Sequence, residues 1–113
     1  MSRTELTEWT WSRFEATPPM ATYLVAWAVT EFEAVERTIR MAEAGRKLAV
    51  RFWTRPGDGH RVAAALDISE RVLDTLEGYL NATYPLPKMD FMVLPASDMD
   101  FPSIENWGLV FVG

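Results

Sequence analysis

The stretch His60-Arg-Val-Ala-Ala-Ala-Leu-Asp-Ile-Ser-Glu-Arg-Val-Leu-Asp-Thr-Leu-Glu-Gly-Tyr-Leu-Asn81 decides how the rest of the chain is read. Val62, Ala65, Leu66, Val72, Leu73, Leu76, Tyr79 and Leu80 recur at steps of three and four, the spacing that gathers apolar side chains on one side of an α-helix. At 1.5 Å per residue such a helix is roughly 33 Å long. Turn signals bracket it, Pro56-Gly57-Asp58-Gly59 before and Pro85 just after. Period two governs the flanks. Lys47 to Trp53, Asp90 to Leu94 and Trp107 to Val112 read as strands, and Ser97 to Phe101 as an acidic loop before the last of them.

Upstream, Trp9, Trp11 and Phe14 suit a short strand with an aromatic face, interrupted by Pro18-Pro19. Ala21 to Val29 places Tyr23, Val25, Trp27 and Val29 on one face and Leu24, Ala26 and Ala28 on the other, the pattern of a strand covered on both sides. Glu31 to Met41 continues as strand, although Phe32, Val35 and Ile39 also fit helical spacing. Gly45 can supply a positive φ, and a boundary is placed there, dividing the chain into residues 1–44 and 45–113. Strands with one long helix make the fold class α+β.

Composition narrows function. The chain has 113 residues, 49% of them hydrophobic and 24% charged, which suits one small packed unit. Eleven basic against sixteen acidic residues give a net charge of -5, which repels a phosphate backbone and argues against nucleic acid as a partner. Met20 to Val29, the longest mainly apolar run, is about half of what a membrane-spanning helix requires. No targeting pattern fixes a compartment.

With no cysteine and a single histidine, His60, a three-ligand zinc site of the hydrolytic kind cannot be assembled, and no metal ligand or catalytic residue is assigned. Glycine-rich phosphate loops, nucleophile elbows and Cys-His pairs are also missing from the sequence. His60 reads as a solvated helix-start residue. The methionines and the five tryptophans are spread over every expected strand and read as core. Asp90, Asp98, Asp100 and Glu105 crowd one region, which is either a cation site or a solvated acidic loop. Glu105-Asn106 lies where an acidic loop meets an apolar strand, a junction at which a carboxylate can face a cleft and grip an ammonium group.

Four stretches carry a family resemblance: Thr17-Pro-Pro-Met-Ala-Thr-Tyr-Leu-Val-Ala-Trp27, Val50-Arg-Phe-Trp-Thr-Arg-Pro56, Tyr84-Pro-Leu-Pro-Lys-Met-Asp90 and Glu105-Asn-Trp-Gly-Leu109. In order and approximate spacing they resemble the zinc aminopeptidases of the aminopeptidase N type. The resemblance implies that residues 1–44 close a β-rich N-terminal domain and that 45–113 open a thermolysin-like catalytic domain. It also implies that Glu105 and Asn106 match the end of the family's Gly-Ala-Met-Glu-Asn motif, whose Glu recognises the free α-amine of a peptide and whose backbone aligns the substrate. Pro102, Ser103 and Ile104 stand where the family has Gly-Ala-Met, and with Glu105 and Asn106 they make up the candidate substrate-binding set.

The family's His-Glu-x-x-His helix follows this motif and is not in the sequence, so the expectation is a piece of a zinc enzyme that is inactive alone. A peptide N-terminus would be the partner of that larger enzyme, and zinc its cofactor. The alternatives are a noncatalytic peptide-binding or scaffold protein derived from the family, and a free-standing structural α+β domain. Equilibrium dialysis of the 113-residue chain should find no stoichiometric zinc, and a chromogenic aminoacyl amide should stay intact. Tight zinc with turnover would refute this expectation.

Overall fold

The computed structural model describes residues 11–41 and 45–113. Five strands, β1 (Glu33–Arg40), β2 (Lys47–Thr54), β3 (Lys88–Val93), β4 (Ser103–Asn106) and β5 (Leu109–Val112), form one sheet in the order β1-β2-β3-β5-β4. A single long helix, α1 (Ala63–Leu80), connects β2 to β3. The fold is α+β. β1 pairs antiparallel with β2, β2 and β3 are parallel, β3 and β5 are parallel, and β5 and β4 form an antiparallel hairpin. Parallel neighbours cannot be joined by a tight turn, which is why a whole helix intervenes between β2 and β3.

β2 shows why these residues form a central strand. Leu48, Val50, Phe52 and Thr54 are buried and alternate with residues that are exposed or half-buried. Facing them, Val62 and the helix residues Leu66 and Leu73 close a core that also takes in Ile39 and Met41. Full burial of such a side chain contributes about 1.5–3 kcal/mol. Two ion pairs fix the helix over β1 and β2: Arg37 to Asp67 at 2.7 Å and Arg46 to Glu77 at 2.8 Å. Asn81, at φ 48°, ends the helix in the left-handed conformation and donates its N–H to the Glu77 carbonyl.

The amphipathic stripe is wider than the sheet that covers it. Val72, Leu76, Tyr79 and Leu80 are exposed, so only the Val62, Leu66 and Leu73 side of the expected apolar face is sealed. The expected start of the helix is a 3-10 turn over Gly59–Val62, in which His60 is exposed and its Nδ1 lies 3.1 Å from the Gly57 carbonyl. Gly45 does adopt a positive φ, 61°.

The upstream reading needs correction. Ala21 to Val29 is not a strand; it carries a 3-10 turn at Thr22–Leu24 and pairs with no strand among the described residues. Its alternation survives in exposure only over Tyr23 to Trp27, where Leu24 and Ala26 are half-buried while Tyr23 and Trp27 are 79% and 80% exposed; Ala28 is exposed. A period-two pattern reports which side faces the protein, but strand formation also needs a hydrogen-bonding neighbour. The first part of the Trp9 to Phe14 reading lies outside the described residues, and Trp11 to Phe14 has no regular structure. Glu31 to Met41 and Lys47 to Trp53 do contain strands, as β1 and β2.

Leu48 is fully buried between sheet and helix, so Leu48→Ala should lower stability by about 2–5 kcal/mol. Trp27→Ala, which strips an exposed ring, should change it by less than about 0.5 kcal/mol. Urea unfolding followed by circular dichroism measures both, and equal effects would contradict the placement of the core.

Candidate functional site

The expected substrate-binding residues sit on the outermost strand. Pro102 precedes β4, and Ser103, Ile104, Glu105 and Asn106 compose it. The acidic stretch was expected to remain loop up to Phe101 with a strand only from Trp107 onward; the structure adds β4 and a two-residue turn, Trp107-Gly108, leading into β5. Alternation on so short a strand separates the residues. Ser103 and Glu105 share one face, and Ile104 and Asn106 share the other.

The register says which face is which. Val35, Phe52, Phe91, Val110 and Glu105 form one row across the sheet, on the side that carries α1. Phe52 and Phe91 stack in that row with centroids 4.6 Å apart. Glu105 is therefore the polar end of an apolar row, and it is exposed. The Ser103 hydroxyl donates to its Oε1. On the opposite face, Asn106 is buried and its Nδ2 donates to the Tyr23 carbonyl at 3.1 Å. Ile104 helps line an open cleft of about 360 Å³ with Leu94, Met99, Phe101 and Phe111.

The backbone of β4 divides just as cleanly. The Gly113 N–H donates to the Pro102 carbonyl at 3.1 Å, which makes Pro102 and Gly113 a hydrogen-bonded pair. Because such pairs alternate along an antiparallel ladder, Ile104 and Asn106 also direct their backbone groups at β5, whereas Ser103 and Glu105 direct theirs away from the sheet. The missing N–H of Pro102 is thus lost from the inner side and not from the open edge.

The four acidic residues do not gather at one point: Asp98 and Asp100 line the cleft beside Ile104, whereas Asp90 and Glu105 are not among its lining residues. Asp98 belongs to a 3-10 turn and accepts from the Ser97 hydroxyl, while Asp90 lies on β3 and is occupied elsewhere. Among the described residues no group of three His, Cys, Asp or Glu side chains is placed to hold a metal ion. The donor set of the described residues does not fit zinc.

Two charged residues that the sequence reading passed over, Arg51 and Lys88, lie beside the site together with Asp90. Asp90, buried, takes Arg51 Nε on Oδ1 at 2.6 Å, Arg51 Nη2 on Oδ2 at 3.2 Å and Lys88 Nζ on Oδ2 at 2.8 Å. All three project from the face opposite α1, where Arg51 and Asp90 are register partners. Their signal in the sequence is a charge at every second position of otherwise apolar strands, Lys88-x-Asp90 and Arg51.

Comparison with known proteins identifies the setting. The sequence pattern of the peptidase family M1 domain matches residues 64–113, which include α1 but for its first residue and the whole of β3, β4 and β5. Aminopeptidase N of Bos taurus is 39% identical over 105 residues, covering 90% of this chain and 10% of the relative. Glutamyl aminopeptidase of Homo sapiens is 36% identical over 103 residues, 91% of this chain and 10% of the relative. Aminopeptidase Q of Felis catus is 40% identical over 105 residues with coverage of 90% and 10%. The chain belongs to the M1 aminopeptidases. It spans about a tenth of the length of these relatives.

Within this M1 sequence the segment Tyr84 to Asp90 is tied down from several sides. Tyr84 donates its hydroxyl to the Lys88 carbonyl at 3.2 Å and its N–H to Glu77 Oε1 at 2.7 Å. Burial, helped by the charge of Asp90 and opposed by Arg46, pushes the Tyr84 phenol up to about 12. The unfolded chain releases that proton near pH 10. The native state holds it longer, so the contribution is intact below pH 10 and is lost as pH climbs from 10 towards 12. Urea unfolding at pH 8, 10 and 11 should show a steeper alkaline loss for the native sequence than for Tyr84→Phe; identical slopes would exclude a buried phenol.

Proposed function

We propose that this chain supplies the substrate-amine recognition edge of a zinc-dependent aminopeptidase, with Glu105 as the group that anchors the free N-terminus of a peptide. The observation that carries the reading is the placement of Glu105: an exposed carboxylate on an outermost strand whose Ser103 and Glu105 backbone groups point away from the sheet. An extended peptide can add to such an edge by main-chain hydrogen bonds. Its ammonium then meets the carboxylate through a charge-assisted bond, and the first residue of the peptide is held at a fixed depth. An exopeptidase needs that fixed depth, because it must cut one residue from the end and no further.

Zinc is the metal of the family and supplies Lewis-acid chemistry when bound. What this chain contributes in the reading is binding and orientation. Residues 1–44 are taken as the end of a β-rich domain and 45–113 as the start of the catalytic domain; β1, which lies wholly within 1–44, pairs with β2 across that boundary. The relatives' names, aminopeptidase N and glutamyl aminopeptidase, support removal of N-terminal residues as the reaction class and leave open which residue is preferred.

The test uses a chimera in which this chain replaces the matching tenth of bovine aminopeptidase N. Glu105→Gln keeps size and one acceptor oxygen while removing the charge. It should lower kcat/KM on free peptides roughly 10- to 150-fold, the effect of losing one charge-assisted bond. N-acetylated peptides, which have no ammonium, should be poor substrates before and after. An equal proportional loss on both substrates would overturn the amine-anchoring role.

A further inference from the structure

Glu105 lies three residues before Gly108, and the turn between them is poorly suited to holding a hairpin on its own. Gly108 has φ +75° while Trp107 keeps a negative φ, the sign pattern of a type II turn. Two-residue hairpins favour the primed turns, whose twist matches that of the strands, whereas type II splays them. β4 is four residues long and, among the described residues, paired on one side only, so the hairpin has little ladder of its own to rely on.

Lys88 takes up that task. Its Nζ donates to the Gly108 carbonyl at 2.6 Å, and the Asp90 N–H donates to the same oxygen at 3.1 Å. Asp90 holds the ammonium in place at 2.8 Å and is itself held by the forked contact from Arg51. Leu86 packs against the same glycine: a Cβ on residue 108 would lie 2.9 Å from its Cδ1 and 3.5 Å from the Lys88 Nζ. Leu86 and Pro87 are anchored in turn, since Arg46 Nη1 reaches the Leu86 carbonyl at 3.4 Å and the Ala49 N–H reaches the Pro87 carbonyl at 3.3 Å. The turn is thus held by an ammonium and packed by a leucine that both belong to the segment Tyr84 to Asp90.

We propose that Lys88 is a positioning residue for Glu105: with Arg51 and Asp90 behind it, it clamps the Gly108 turn and fixes where the edge-strand carboxylate stands. The inference rests on the amine-anchoring reading of Glu105. Displacing a positioning group by about 1 Å can cost on the order of a hundredfold in rate, which is why a clamp outside the substrate path matters.

The experiment uses the same chimera with Lys88→Met, which leaves Asp90 paired with Arg51 and so avoids an orphaned buried charge, and with Lys88→Arg, which keeps a cationic donor. In Lys88→Met, hydrogen exchange over residues 103–112 should speed up while residues 63–80 stay protected. The kcat/KM on free peptides should fall roughly tenfold, carried mainly by KM, with no matching loss on acetylated peptides. Lys88→Arg should restore most of both. Unchanged exchange over 103–112 overturns the clamp, whatever Glu105 does. Faster exchange without an amine-dependent loss, where Glu105→Gln does show that loss, overturns the positioning role. If Glu105→Gln shows no amine-dependent loss, the reading of Glu105 fails, and the exchange measurement alone decides whether Lys88 holds the turn.

Discussion

A carboxylate buried inside a sheet dictates much of what surrounds it. Asp90 sits on β3, away from the helix, and burying its charge without partners would cost several kcal/mol. Arg51 from β2 and Lys88 from its own strand answer that demand, so β2 and β3 must be neighbours with residues 51 and 90 opposite each other. Strand register is also enforced by which face is apolar. A slip of one residue here would expose Phe52 or Phe91 and would also separate a forked ion pair, and both penalties point to the same alignment.

The helix was legible because its signal is long and local: eight apolar positions at helical spacing, a turn cluster before and a proline after. β2 and β3 were legible as strands from their apolar runs, yet the reason for their pairing was not. Arg51 and Asp90 are 39 residues apart, and sequence shows each merely as a charge within a strand. The site was legible in a different way. Composition gives Glu105 no distinction from a surface carboxylate; its importance came from resemblance to a motif. Geometry then adds what the motif does not state, that Ser103 and Glu105 lie on one face and Ile104 and Asn106 on the other.

Two misreadings share a cause. Ala21 to Val29 has a strand-like sequence and no strand, while Ser-Ile-Glu-Asn at 103–106 has an unremarkable sequence and is one. Neither outcome is decided by intrinsic preference. β4 forms because the turn at Trp107-Gly108 returns the chain onto β5, and the upstream segment stays unpaired because no strand edge is offered to it among the described residues. Hydrogen-bonding opportunity decides both outcomes, and side-chain pattern does not even fix exposure in β4, where Ile104 is exposed and Asn106 is buried.

An outermost strand is where a peptide can be received, because interior strands have both rows of backbone groups already engaged. The same openness leaves that strand weakly held. Here the deficiency is met from outside the ladder: the Gly113 N–H on the Pro102 carbonyl secures its start, the Asn106 side chain on the Tyr23 carbonyl secures its end, and Lys88 secures the turn beyond. None of these contacts uses the outward backbone groups of Ser103 and Glu105. The edge is therefore braced through its inner side, its buried face and its turn, while the outward donors and acceptors of Ser103 and Glu105 stay unengaged among the described residues. That division also explains how a proline is tolerated at position 102, since its missing N–H falls on the braced side and takes nothing from the receiving one.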